Sequence, residues 1–140
     1  YWNTYVESDG DGFMYRKHDR CCSGQQYAIS YHDGINESVL TSYRDNEPSP
    51  GRDYQINNGW IAYTELGGLG QTHVWTRSSN GALLQHSIFG TDSTIDSLTS
   101  DGELMLLNSG KRYLSDATAQ STVVGSAIGK SSKVNGVWYI

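Results

Sequence analysis

Tyr54-Gln55-Ile56-Asn57-Asn58-Gly59-Trp60-Ile61-Ala62-Tyr63-Thr64 decides the fold class. Asn followed by Gly accepts the paired positive φ angles of a two-residue hairpin turn, and the flanking aromatic and β-branched residues favour extended backbone, so the stretch reads as strand, turn, strand. The same grammar returns in Ser97-Leu98-Thr99-Ser100-Asp101-Gly102-Glu103-Leu104-Met105-Leu106-Leu107 and again in Ser132-Lys133-Val134-Asn135-Gly136-Val137-Trp138-Tyr139-Ile140. A weak internal repeat of uneven period, roughly 40 residues, suits a unit of several short strands and excludes a heptad or a helical pair.

Working outward, the pattern continues on both sides. Trp2 to Val6, Phe13 to Lys17, Tyr27 to His32 and Glu37 to Tyr43 read as strands, with turns at Glu7 to Gly12 and Asp33-Gly34. Arg44 to Asp53 holds both prolines, Pro48 and Pro50, and reads as a loop that leaves a sheet and returns. Gln71 to Arg77, Ala82 to Ser87, Thr94 to Leu98, Glu103 to Leu107 and Lys111 to Leu114 follow as strands separated by Gly-containing turns. Ser115 to Lys130 is small and polar, with Val123-Val124 its one β-branched pair, and its type stays open. No window carries a helical period. The expectation is an all-β chain of roughly twelve short strands joined as consecutive antiparallel hairpins.

Composition narrows the function classes. The chain has 140 residues, four Trp, ten Tyr, 16 Gly and a formal net charge of -5. That length fits one module, residues 1–140. The acidic balance disfavours a nucleic-acid partner, and no apolar run is long enough to span a bilayer, so no membrane partner is expected. Acidic, aromatic and Gly-rich composition suits a secreted, extracellular protein that handles polysaccharide. Tyr1-Trp2 does not read as a natural start and Ile140 falls inside a strand pattern, so the expectation is a module excised from a longer chain.

Hairpin units of this length suit propeller-like repeats. A two-sheet β-sandwich, with the Pro-containing loop as crossover, and a β-trefoil are the alternatives. The strand Asn57-Asn58-Gly59-Trp60-Ile61-Ala62-Tyr63-Thr64, the strand Gln71-Thr72-His73-Val74-Trp75-Thr76-Arg77-Ser78, the pair at Asp101-Gly102-Glu103-Leu104-Met105 and Asn135-Gly136-Val137-Trp138-Tyr139 together resemble TolB/PD40-like β-propeller segments. The resemblance covers most of Tyr15 to Ile140. It implies a blade-like segment of a secreted bacterial multidomain protein, of the kind attached to polysaccharide-degrading enzymes. It carries no catalytic set to this chain.

Candidate sites follow from side-chain chemistry. On Gln71 to Arg77 the alternation puts His73, Trp75 and Arg77 on one face, an indole between two polar tips, which is what stacking on a sugar ring with hydrogen bonds to its hydroxyls requires. The same Trp75 is a natural core residue. Tyr15 and the basic run Arg16-Lys17-His18-Asp19-Arg20 offer a ring beside Arg16 and Arg20, suited to an anionic polysaccharide or simply to a solvated loop. Glu7-Ser8-Asp9-Gly10-Asp11-Gly12 has the start of a calcium loop through Glu7, Asp9 and Asp11, but lacks the bidentate carboxylate at its twelfth position, where His18 stands. A plain hairpin turn accounts for it equally. The adjacent Cys21-Cys22 either close a vicinal disulfide or stay as thiols. Glu65, Asp96, Glu103 and Asp116 supply carboxylates without singling out a catalytic pair. The expected function is therefore a non-catalytic carbohydrate-binding module that targets an attached glycoside hydrolase or polysaccharide lyase, with a structural spacer as the rival and calcium as the one cofactor in view.

Overall fold

The computed structural model describes residues 2–19, 24–67, 71–78, 81–86, 92–116 and 118–140. They contain no helix. Fourteen strands form among them: β1 (Trp2–Ser8), β2 (Phe13–Asp19), β3 (Gln26–His32), β4 (Glu37–Val39), β5 (Tyr54–Asn57), β6 (Trp60–Leu66), β7 (Thr72–Arg77), β8 (Leu83–His86), β9 (Thr94–Leu98), β10 (Leu104–Asn108), β11 (Lys111–Ser115), β12 (Ser121–Ser126), β13 (Ser132–Val134) and β14 (Val137–Tyr139). The all-β expectation holds, and the strands are joined as consecutive antiparallel hairpins.

Three sheets have four strands each, in the orders β1-β2-β3-β4, β5-β6-β7-β8 and β12-β11-β10-β9, and β13-β14 form a two-stranded hairpin. Among the described residues every strand pairing is between neighbours in the chain, so each sheet is an up-and-down meander and no described strand crosses from one sheet to another. The described residues make no closed barrel or closed propeller. Ser115 to Lys130, left open by its composition, contains β12, which pairs with β11 from Ser115↔Ser121 to Lys111↔Ser126. Conversely, the strand expected over Glu37 to Tyr43 is only β4. Past it the Thr41 hydroxyl accepts from Ile29 N, and Leu40 N donates to Ile29 O, so side chain replaces backbone on the ladder.

The turns form where the sequence permits positive φ. Asn58 and Gly59 take φ of 50° and 80°, Ser109 and Gly110 take 49° and 74°, and Asn135 and Gly136 take 50° and 79°. Two successive positive values are the type I′ turn, whose twist matches that of the strands it joins.

The second sheet lies between the other two, with β5 touching β1, β2 and β9. Alternation along β6 divides its side chains between two cores. Ile61 and Tyr63 join Met14, Ile29 and Tyr54 in a cluster against the first sheet. Ala62, with Val74 of β7, joins Ile95, Leu98, Leu104 and Leu106 against the third. Buried on both faces, β6 shows why Trp60 to Thr64 reads as near-continuous apolar sequence.

Candidate binding cleft

The turns that join the first two strands of each sheet meet along one edge of the molecule. Asp9 Oδ2 accepts from Gly59 N at 2.6 Å, linking the first turn to the second. Asn58 Nδ2 donates to Ser100 O at 3.1 Å, linking the second to the third. Lys133 reaches from β13 to Asp101 at 3.6 Å and more closely to Glu103, linking the third to the terminal hairpin. Small polar residues at turn positions thus do double duty: they shape the turn and clamp the next one.

Between the third turn and the terminal hairpin this edge opens into a cleft of about 450 Å³. Its walls carry the hydroxyl residues Thr99 and Ser100, the Asp101 carboxylate, Lys133, the Asn135 amide and the Trp138 indole. Trp138 is half-buried, and its Nε1 is shielded from solvent without a hydrogen-bond acceptor among the described residues. An indole N–H can only donate, so the acceptor it lacks has to come from elsewhere. Two interactions set the charge. A side-chain hydrogen bond from Thr99 helps hold the Asp101 carboxyl below its usual range, and the bond to Glu103 raises Lys133. Lys133 is therefore shared between two carboxylates, and among the described residues the cleft has no surplus cation.

The residues singled out from the sequence lie elsewhere. His73, Trp75 and Arg77 do share a face of β7, and all three are partly exposed. That face looks toward the first sheet: Trp75 packs against its cluster, Arg77 lies over the Tyr31 ring at 5.1 Å, and His73 Nδ1 is 2.8 Å from Gln85 Nε2. Trp75 borders a shallow hollow of about 190 Å³ with Leu40, Tyr63 and Leu83, whose lining is mainly apolar. Tyr15 is only 2% exposed, so its ring cannot stack on a ligand, and burial together with the Glu37 carboxylate pushes its hydroxyl up to about 12. Arg16 is also buried; it donates to Glu47 at 3.1 Å and lies 4.0 Å from the Tyr5 ring centroid. The basic run is thus split between interior and surface by strand alternation. Arg20, Cys21 and Cys22 lie outside the described residues.

Asp9 does not stand in a ligand shell with Glu7 and Asp11. Its Oδ1 accepts from Asp11 N and Gly12 N, both at 3.1 Å, and these bonds with that from Gly59 lower its pKa despite the opposing effect of burial. Among the described residues no three His, Cys, Asp or Glu side chains are close enough to hold a metal ion. Asp96 is engaged as well: its Oδ2 pairs with the buried Arg112 at 2.5 Å and accepts from Ser131 N at 2.8 Å.

The sequence carries little sign of the cleft. Its one signal is that Asn135-Gly136-Val137-Trp138 repeats the Asn58-Gly59-Trp60 grammar with the indole moved one residue on, which by alternation puts the two rings on opposite faces of their hairpins. Comparison of the chain with protein-family models, with curated proteins and with solved structures finds no match.

Proposed function

We propose that the protein is a non-catalytic, extracellular carbohydrate-binding module, and that the cleft beside Trp138 is where it holds polysaccharide. The observation that carries this reading is the sheltered indole N–H, unpartnered among the described residues, on the wall of a cleft rich in hydroxyl and amide groups. A sugar ring supplies acceptor oxygens for that N–H and an apolar face for the ring, while its own hydroxyls are matched by Ser100, Asp101 and Asn135. The charge balance of the cleft suits a neutral, hydroxyl-rich chain. Blade-like meanders and acidic, aromatic composition are in keeping with an accessory part of a secreted polysaccharide-degrading enzyme.

Affinity electrophoresis in gels containing neutral polysaccharides tests it. The expected result is retardation by at least one of them, reduced with Trp138→Phe, which keeps a ring but removes the donor, and abolished with Trp138→Ala. Trp75→Ala should leave retardation intact. Loss with Trp75→Ala and retention with Trp138→Ala would move the platform to β7.

A second reading, a structural spacer that packs on neighbouring domains, is favoured by the terminal hairpin, where Val134, Val137 and Tyr139 are each more than half exposed. Unchanged mobility in every gel supports the spacer.

A further inference from the structure

At the opposite ends of the second and third sheets, where β5 and β9 begin, lies a pocket of about 260 Å³. Arg44 and Arg52, from the connection between the first two sheets, line it together with Ser49, Ser93 and Thr94. It shares no residue with the cleft beside Trp138.

Arg44 is the unusual group. Its side chain is only 9% exposed, yet its Nε has no hydrogen-bond partner among the described residues. Its Nη1 reaches Thr64 O only at 3.5 Å, and its Nη2 stands 3.9 Å from Asp53 Oδ1, beyond hydrogen-bond range. Asp53 cannot close that gap cheaply, because its Oδ1 already accepts from the Thr64 hydroxyl at 3.0 Å and its Oδ2 from Ser49 N at 2.8 Å. A sheltered guanidinium with five donors and one long bond calls for an acceptor. Burial, the largest influence, draws the pKa of Arg44 down against the pull of Asp53 and Glu65. Arg52 is exposed at the rim, and its guanidinium has no ion pair or hydrogen bond among the described residues. Ser93 accepts from Asn108 Nδ2 at 2.8 Å, which leaves its own proton to give.

We infer that this pocket seats a small singly charged organic anion, a carboxylate held by Arg44 and Arg52, with a sugar acid as the class of ligand that fits. The planar guanidinium matches a carboxylate edge to edge. Glu47, Asp53 and Asp92 also line the pocket, so a doubly charged anion meets more repulsion than a single carboxylate does. The hydroxyls of Ser49, Ser93 and Thr94 suit the ring hydroxyls of a sugar acid.

Calorimetric titration of the whole chain with sodium D-glucuronate, D-glucose and inorganic phosphate tests this, with amide shifts recorded by NMR to locate the ligand. Glucuronate should bind saturably and shift Ser49–Asp53 and Ser93–Thr94, glucose should leave those amides unshifted, and phosphate should bind more weakly. Because Arg44 is buried and its replacement could unfold the chain, the exposed Arg52 carries the test: Arg52→Ala should weaken glucuronate about tenfold, and added sodium chloride should weaken the wild type. The inference is overturned by no saturable binding of glucuronate, by equal glucose-induced shifts at Ser49–Asp53 and Ser93–Thr94, by tighter binding of phosphate, by an unchanged Arg52→Ala, or by shifts confined to Ser132–Trp138. None of these outcomes depends on whether Trp138 binds a neutral glycan.

Discussion

The hairpins β5–β6 and β13–β14 have the same turn and opposite fates. Both use Asn-Gly, with φ pairs of 50° and 80° in one and 50° and 79° in the other, followed by aromatic and β-branched residues. After the first turn Ile61, Ala62 and Tyr63 are 1%, 0% and 5% exposed; after the second, Val137 and Tyr139 are 53% and 57% exposed. Turn chemistry therefore fixes where a hairpin forms, while the neighbouring sheets fix what it buries. The first hairpin is held by apolar packing on both faces. The second is held by polar ties: Ser131 N donates to Asp96 Oδ2 at 2.8 Å, the Ser97 hydroxyl to Ser131 O at 2.6 Å, and Lys133 pairs with Glu103. That loose seat is what leaves the cleft open.

The largest effect should come from cutting those ties at their root. Arg112, fully buried, donates to Asp96, to Ile128 O at 3.1 Å and to Gly129 O at 2.7 Å, so it braces the segment that leads into β13. Arg112→Ala leaves a buried carboxylate unpaired and should cost about 3–5 kcal/mol in urea unfolding. If the ties hold the hairpin, amide exchange in 126–139 should rise more than in β5–β6. Equal acceleration everywhere would mean that the terminal hairpin is packed like the rest.

His86 offers a probe confined to the packed region. It is buried between β7 and β11, with Nε2 2.8 Å from the Thr76 hydroxyl and Nδ1 2.5 Å from the Ser115 hydroxyl. Burial lowers its pKa from 6.5 to about 4, with Asp116 opposing. The unfolded chain binds this proton below pH 6.5 and the folded chain only near pH 4, so stability from the neutral ring is whole above 6.5 and is lost as pH falls through that window. The loss amounts to at most about 3 kcal/mol. Urea unfolding at pH 7 and pH 4.5 should show a smaller difference for His86→Gln than for the wild type, with His18, also lowered chiefly by burial, contributing to the slope that remains. An identical pH dependence in the variant would show that His86 does not contribute to the loss of stability at low pH.

These contrasts mark how far the sequence is legible. Strand alternation in β6 and β7 and the Asn-Gly turns are local, and they read directly as hairpins. Among the described residues fourteen strands appear where about twelve are expected, partly because β12 exists through its pairing with β11 and not through its own Ser- and Gly-containing composition. The site was less legible for the same reason. His73, Trp75 and Arg77 share a face as their spacing requires, but spacing does not say that the first sheet lies against that face. Tyr15 and Arg16 are adjacent and both buried, because β2 is covered on both faces over Met14 to Arg16, while beyond it Lys17 and Asp19 stay partly exposed. The cleft depends on Arg112 and Asp96, 16 residues apart and unremarkable as sequence, which set where the last hairpin docks.

The smallest effect separates backbone from packing within the repeated turn. Gly102 and Gly136 have φ of 87° and 79°, so an alanine at either position pays a similar strain of about 1 kcal/mol. Their surroundings differ: a Cβ on Gly102 would lie 2.7 Å from atoms of the Trp60 ring, whereas one on Gly136 meets nothing within 4 Å. The ring is large, half-buried and packed against the third sheet's core, so it cannot simply swing away. Gly102→Ala should therefore cost about 1–3 kcal/mol more than Gly136→Ala, the added part being overpacking. Denaturant midpoints of the two variants, with equal slopes, give the difference. Equal midpoints would show that Trp60 yields at little cost, and that the inner turns are as loosely neighboured as the outer one.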